Sequence, residues 1–492
     1  MAISFNEIPQ ALRVPGIYIE FDNSKANNAD PQFKLLVIGQ RLASGSVAQG
    51  VPTRVTNVGQ AEDYFGRGSM LAEQIKHLLA ANQWIDLTAI ALDEDANGAA
   101  ATGTITPSGT ATETGTLALY VAGQQVRVAV VSGDSQETVA SAIANAINAD
   151  DTLPVTAAVD GTVLNQVNLT CRWKGETGND IDVRLNYYGE QTPKGLSVAI
   201  GAMAGGTANP DIATAIAAMG DEWYNWIACP YTDAANMTTL ETELDSRWGP
   251  TRQIGARAFV AYRGNHAATT TFGDSRNNPH VTCMGTNIAP QPPYIWSAVN
   301  AAVAARSLAI DPARPLQTLT LTGIMAPAVA DRWTGSERNL LLFDGIATHK
   351  VAPDGKVMIE RQITMYQVNA AGIADDSYLD INVPETLERF RFEQRKLFSS
   401  KYPRHKLAEN EARIGAGQAV MQPKLAKAEL LALYRALEAR GWVQDYDGYK
   451  ASLVVEIGDG SGGGDRNRLN VQDSPRLVGQ YRVHAQQVQF RK

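Results

Sequence analysis

At 492 residues the chain is longer than a single hydrophobic core usually sustains, so two to four domains are expected. Hydrophobic residues at 44% and charged residues at 19% supply enough apolar side chain to offset backbone ordering, which excludes a disordered chain. A formal charge of −8 offers a phosphate backbone no general excess of cations and argues against nucleic-acid binding as the main task.

The chain begins MAISFNEIPQALRVPG, without the basic segment and apolar stretch of a secretory signal. No segment approaches the roughly 18 uninterrupted apolar residues of a membrane span. A protein made and assembled in the cytoplasm, without stable membrane insertion, is expected. Cys171, Cys229 and Cys283 are far apart and odd in number, and they read as small buried apolar groups rather than disulfide or metal ligands.

In chain order, Val14, Ile17, Ile19 and Phe21 include an alternating apolar set with Tyr18, Glu20 and Asp22 opposite, a strand pattern. The polar stretch Asn23–Asn28 follows it. A strand isolated by such a connector needs a sheet to join, and that sheet can belong to another chain.

From Phe33 the pattern alternates strand and helix. Strands are expected at 33–39 and 87–92, with a helix over 70–79 capped by Ser69. Residues 98–117 then shift to Gly, Ala and Thr. Strands follow at 117–121, 125–131, 155–159, 167–172 and 181–187, around a helix marked by Val139, Ile143 and Ile147. Residues 97–195 therefore read as a small β-rich domain inserted into an α/β body of 31–96 and 196–345.

The resumed body predicts helices at 211–219, at 295–308 and from Thr238, whose spacing to Glu241 suits a capping box. Strands are expected at 226–229, 258–262, 281–285 and 319–322. An α+β domain over 346–475 begins with an alternating strand, 356–366, in which Val357, Ile359 and Ile363 point inward. Pro384 opens a helix carrying Leu387, Phe390 and Leu397, and a second helix, 425–440, stops at Gly441. Gly458–Asp465 reads as a flexible turn or linker. Residues 476–492 end in a strand, Tyr481–Phe490, with Val483 and Ala485 alternating before a slip to Val488 and Phe490.

Catalytic and cofactor signals are missing from the pattern. Gly460–Gly464 is followed by Asp465 and Arg466, not by the lysine and hydroxyl of a phosphate loop. Asp93-Glu94-Asp95-Ala96-Asn97-Gly98 resembles half a calcium loop, but Thr104 stands where the bidentate glutamate belongs, so a solvated acidic turn is expected. His280 and Cys283 lack companions for a zinc site. His266, His349 and His484 read as surface or packing residues. One charged feature stands out: Arg389, Arg391, Arg395, Lys396, Lys401, Arg404 and Lys406 face only Glu388 and Glu393 between 388 and 406. Such a patch suits an acidic neighbouring subunit, or it is an ordinary solvated helix face.

Three segments together resemble the tail sheath proteins of contractile-tailed bacteriophages, with the Mu-like sheath nearest: Arg13-Val14-Pro15-Gly16-Ile17-Tyr18-Ile19-Glu20, Tyr378-Leu379-Asp380-Ile381-Asn382-Val383-Pro384-Glu385-Thr386-Leu387, and Leu477-Val478-Gly479-Gln480-Tyr481-Arg482-Val483-His484-Ala485. The order and length match over nearly the whole chain. The resemblance implies a multidomain α/β sheath fold, a structural subunit that is not an enzyme, and no cofactor. It implies stacked hexameric rings of the chain around a tail tube protein, bounded by a baseplate and a tail terminator, with contraction driving the tube through the host envelope.

On this chain the resemblance makes Val14, Ile17, Ile19 and Phe21 an N-terminal linking arm (1–30), and Tyr481, Val483, Ala485, Val488 and Phe490 a C-terminal one. Asn23–Asn28 and the region after Gly458 become hinges. The 346–475 domain faces the tube, and Arg389, Arg391, Arg395 and Lys401 become tube-contact candidates. The rival uses are a sheath in a phage-derived bacteriocin or another contractile injection device, and, from a different class, an α/β enzyme.

Overall fold

The computed structural model describes residues 33–459 and 465–491; the expected arm strand Val14–Phe21 and the connector Asn23–Asn28 lie outside the described residues. The body opens with β1 (Lys34–Gln40), β2 (Thr53–Arg54), α1 (Val58–Phe65), α2 (Met70–Ala81) and β3 (Asp86–Leu92). Leu35 to Ile38 are buried in succession, the mark of a parallel strand covered on both faces. Ser69 caps α2 as expected, its hydroxyl oxygen accepting the Ala72 N–H at 3.1 Å.

The insert follows: β4 (Ala100–Gly109), β5 (Gly115–Val121), β6 (Gln124–Val130), α3 (Gln136–Ala149), β7 (Val155–Val159), β8 (Val167–Lys174), β9 (Val183–Leu185) and β10 (Leu196–Ala204). Its antiparallel sheets run β10-β4-β8-β7 and β6-β5-β9. Helix α3 packs on strands of both and buries Val139, Ile143 and Ile147. The Gly/Ala/Thr-rich stretch contains a full strand, β4, with Ala101, Gly103 and Ile105 inward. Strand β10 lies beyond the expected boundary at 195 and pairs with β4, Ile200 opposite Ile105, so the insert's sheet ends near 204. The strand expected at 181–187 shrinks to the three residues of β9.

The body resumes with α4 (Ala213–Met219), β11 (Trp226–Ala228), α5 (Ala234–Trp248), β12 (Arg257–Tyr262), α6 (His266–Asp274), β13 (Val281–Gly285), α7 (Pro293–Ile310), α8 (Gly335–Phe343), β14 (Ile346–Val351) and β15 (Val357–Arg361). The eight-stranded sheet is ordered β15-β14-β13-β12-β11-β1-β3-β2. Its six inner strands are parallel, and β2 and β15 are antiparallel edges. The sheet thus continues to Arg361, past the expected limit of 345. One face buries Leu36, Ile38, Ile227 and Val260 under α4 and α5. The other packs on α7, which is buried nearly all round because α2 covers its outer side.

Two local expectations are corrected. Helix α5 starts a turn before Thr238: Asp233 caps it by accepting the Asn236 N–H at 3.0 Å, and the Thr238 hydroxyl donates to Ala234 O inside the helix. Residues 319–322 form only a bridge, Thr320 to Met358, because tight turns flank them, with Leu319 N–H donating to Leu316 O and Ile324 N–H to Leu321 O.

The C-terminal region holds α9 (Asn382–Lys401), β16 (Lys406–Leu407), β17 (Val420–Met421), α10 (Pro423–Ala439), β18 (Val443–Gln444), α11 (Tyr446–Ser452), β19 (Val454–Ile457), β20 (Leu469–Gln472) and β21 (Arg476–Leu477). Its own core gathers Phe390, Leu430, Tyr434, Leu437, Trp442 and Tyr449, with Tyr434 and Tyr449 stacked at 3.7 Å. Gly441 follows α10 at φ 74°, the left-handed conformation that ends a helix and that glycine adopts without Cβ strain. Strands β19 and β20, which flank the expected turn or linker Gly458–Asp465, pair antiparallel with Ile457 opposite Leu469; residues 460–464 lie outside the described residues.

Candidate assembly interface

The two quoted C-terminal motifs meet in space. Arg361 makes a bidentate pair with Asp380, both bonds at 3.0 Å, and Arg482 reaches the same carboxylate at 3.1 Å and Asn382 Oδ1 at 3.3 Å. Asn382 in turn donates to the carbonyls of Pro312 and Arg314, each at 2.8 Å, and Gln480 donates to Ala313 O at 3.3 Å. The Arg482 side chain is only 9% exposed, so this charge-assisted cluster is a buried anchor holding the last segment against the body.

Beyond the anchor the chain is exposed from Val483 to Arg491. These residues belong to no helix or strand, so the expected strand Tyr481–Phe490 forms no ladder among the described residues. Tyr481, Val483, Val488 and Phe490 are exposed, Phe490 by 82%, and Ala485 is exposed with them. Large apolar side chains in a row without a covering surface mark an interaction segment. The hairpin β19–β20 is a two-stranded sheet whose Val454 and Val471 are also exposed, leaving open edges on which further strands can form ladders.

The basic helix α9 divides by role. Arg391 donates to Trp248 O at 2.7 Å, pairs with Glu388 and lies 4.5 Å over the Trp248 ring, while Arg257 stacks on that ring at 4.8 Å. Arg389 lies 5.6 Å over Trp442. These two candidates therefore serve contacts inside the chain; desolvated cation–π pairs contribute about 2 kcal/mol each. Arg395 donates to Gln253 O at 2.7 Å yet stays exposed, and Lys401 is exposed beside Glu429 at 2.8 Å. The face available to a partner is the distal end of α9 with Arg404 and Lys406.

Both seams of the body are polar and buried. At the α9 seam, Arg257 donates to Pro384 O at 2.8 Å and lies 3.7 Å from Glu385, whose carboxyl burial raises to about 7. His280 closes this seam against Arg257 at 3.1 Å, and burial, aided by Arg257, lowers it to about 2, so it stays neutral. At the insert seam, Gln124 and Tyr294 donate to Glu73 at 3.1 and 2.6 Å, and burial raises Glu73 to about 7. Asp180, buried near Arg263, is raised likewise to about 7.

In open parallel sheets, ligands bind outside the carboxyl ends of the strands, where strand order reverses. Here that point lies between β1 and β11, and the insert fills its surroundings: Gln40 donates to Lys174 O at 2.7 Å, Arg263 pairs with Asp182 at 2.8 Å, and Arg184 donates to Ile288 O at 3.0 Å. The three cysteines are buried free thiols, and no cluster of three metal-ligating side chains occurs among the described residues. His349 is buried with its Nδ1 against Gly285 O, while His266 contacts Glu337 O.

Sequence reasoning missed Arg257, Trp248, Glu73 and the pairing of Asp380 with Arg482. The last had a signal, since both residues lie within the quoted motifs.

Family comparison agrees with this architecture in three blocks. The phage tail sheath β-sandwich domain matches residues 96–208, the central domain 205–365 and the C-terminal domain 374–491. The Mu-like prophage FluMu tail sheath protein of Haemophilus influenzae is 46% identical over 496 aligned positions, covering 100% of both chains. The solved sheath tail protein of Desulfitobacterium hafniense shares the fold at a TM-score of 0.50 and 15% identity, over 95% of this chain and 97% of its own. That of Listeria innocua aligns at a TM-score of 0.49 and 11% identity, over 92% and 94%. The chain belongs to the phage tail sheath protein family and is a structural subunit of a contractile sheath.

Proposed function

We propose that the chain polymerises as stacked hexameric rings around a tail tube, between a baseplate and a terminator, and that shortening of this cylinder drives the tube through the host envelope. The sheath is then part of the virion tail, assembled in the host cytoplasm. The observation that carries the reading is the C-terminal segment: anchored at Arg482, then apolar, exposed and without a ladder among the described residues.

Added strands make directional backbone hydrogen bonds that tolerate rotation of the bodies they join. Val483, Ala485, Val488 and Phe490 of one copy, and Val14, Ile17, Ile19 and Phe21 of another, supply such strands, with the open hairpin β19–β20 as acceptor. The stored free energy is a difference between two sets of subunit contacts, so no nucleotide is required. Arg395 and Lys401 face the tube.

Negative-stain imaging of purified protein should show hollow striated tubes, and Arg395→Glu with Lys401→Glu should weaken co-sedimentation with tube protein at low salt. Uniform monomers over a broad concentration range would contradict the polymerisation reading. Unchanged co-sedimentation at low and moderate salt would remove the tube assignment alone.

A further inference from the structure

Among the exposed apolar features of the described surface, two have opposite shapes. One is a knob. Trp84 is 83% exposed on the turn between α2 and β3, and that turn is rigid: buried Asn82 donates to Ala302 O on α7 at 3.1 Å and accepts the Trp84 N–H at 3.3 Å. An indole held in solvent on a fixed turn loses little conformational freedom on docking.

The other is a groove of about 450 Å³ between the end of α8 and the loop after β15, lined by Leu342, Phe343, Tyr366, Ala374 and Leu379 with the exposed carboxylate of Asp376 at its rim. Phe343 is 74% exposed, and Leu340 and Ile373 extend the apolar surface around it.

The sheet relates these features. Trp84 lies just before β3, near one edge, and the groove lies beside β14 and β15, at the other, roughly 24–29 Å away at normal strand spacing. The register offsets them along the strand direction: Ile346 comes level with Ile90, four residues above Asp86, or roughly 13 Å. Asp86 lies opposite Lys34, Leu35 opposite Trp226, Trp226 opposite Arg257, Ala258 opposite Val281, and Cys283 opposite Ile346. Both features thus sit at the amino ends of the parallel strands.

A knob and a groove on opposite edges of one body cannot meet within a copy, but they can meet between copies repeated head to tail with a small axial offset. Charge agrees: exposed Arg54, paired with Asp86 at 3.0 Å beside the Trp84 turn, would approach the acidic rim at Asp376.

We infer that Trp84 of one subunit docks in the α8 groove of the adjacent subunit, forming a direct body-to-body contact within a ring that is separate from the terminal strands. The inference rests on the sheath reading and deepens it. Buried aromatic anchors dominate interface energetics, and Asp376 or Gln367 can accept the indole N–H.

The test uses the full chain in assembled tubes. Gln83→Cys with Asn339→Cys places one thiol beside the knob and one in the polar part of the groove lining while leaving Trp84 and the apolar lining unchanged, and the native cysteines are buried. Mild oxidation should give a ladder of covalent dimers and higher species from the double variant and none from either single one. Trp84→Ala should raise the concentration needed for tubes by about tenfold or more, with an unchanged monomer circular dichroism spectrum. Tubes that form at ordinary concentration from Trp84→Ala, together with no ladder from the cysteine pair, would overturn this contact and leave the sheath reading standing. Absence of any polymer from the unaltered chain would sink both.

Discussion

Glu73 is a carboxyl that the fold keeps near neutrality at physiological pH. Burial raises it from an ordinary 4.5 to about 7 even though Tyr294 and Gln124 donate to it. The folded chain therefore holds a proton that the unfolded chain releases between those values, and this contribution to stability falls as pH rises through the window. Half-buried His77 and buried His349, lowered to about 4, and His280, lowered to about 2, act in the opposite direction between those values and 6.5. A difference between variants isolates the carboxyl. Glu73→Gln should match the parent in melting temperature at pH 5 and exceed it by about 2 °C or more at pH 8. A gap independent of pH, read by differential scanning fluorimetry, would show that the carboxyl is ionised throughout. Glu73 and Glu385 each lie on a seam between bodies, where such a group tunes how firmly the bodies hold together.

At the scale of elements, the anchor divides the C-terminal segment into a fixed base and a free end. Truncation after Arg482 removes a segment exposed from Val483 to Arg491, so the melting temperature should stay within about 2 °C while long tubes disappear. Truncation before Arg476 also removes β21 and the Arg482–Asp380 pair, and should lower stability as well. Light scattering with thermal melts separates these outcomes; normal tubes from the shorter truncation would show that the free end joins nothing. The elements legible in the sequence were those whose burial leaves a period. Strand β1 is a continuous apolar run, and α3 repeats Val139, Ile143 and Ile147. Strand β4 was hidden because its inward positions include Ala101 and Gly103, which carry little hydrophobic signal. The anchor was half visible: Asp380, Asn382 and Arg482 lay in the motifs, but a pairing across 102 positions leaves no local trace. The Arg391 contact with Trp248 O spans 143 positions and was equally silent, which is why a basic helix read as an interface proved partly a seam.

For the whole molecule, the architecture is a parallel α/β body with its insert at the carboxyl ends of the strands and its C-terminal region at the amino ends. Rigid bodies joined by buried polar seams, with an apolar tail leaving from a charged anchor, suit a lattice in which bodies reorient while the connections persist. The most direct measurement is a cryo-electron microscopy reconstruction of tubes assembled from this chain, at a resolution that traces the backbone. Residues 483–491 should leave their own subunit after Arg482 and form a ladder on a neighbour's sheet. Density showing those residues folded back onto the body that encodes them, in an otherwise complete tube, would contradict the account.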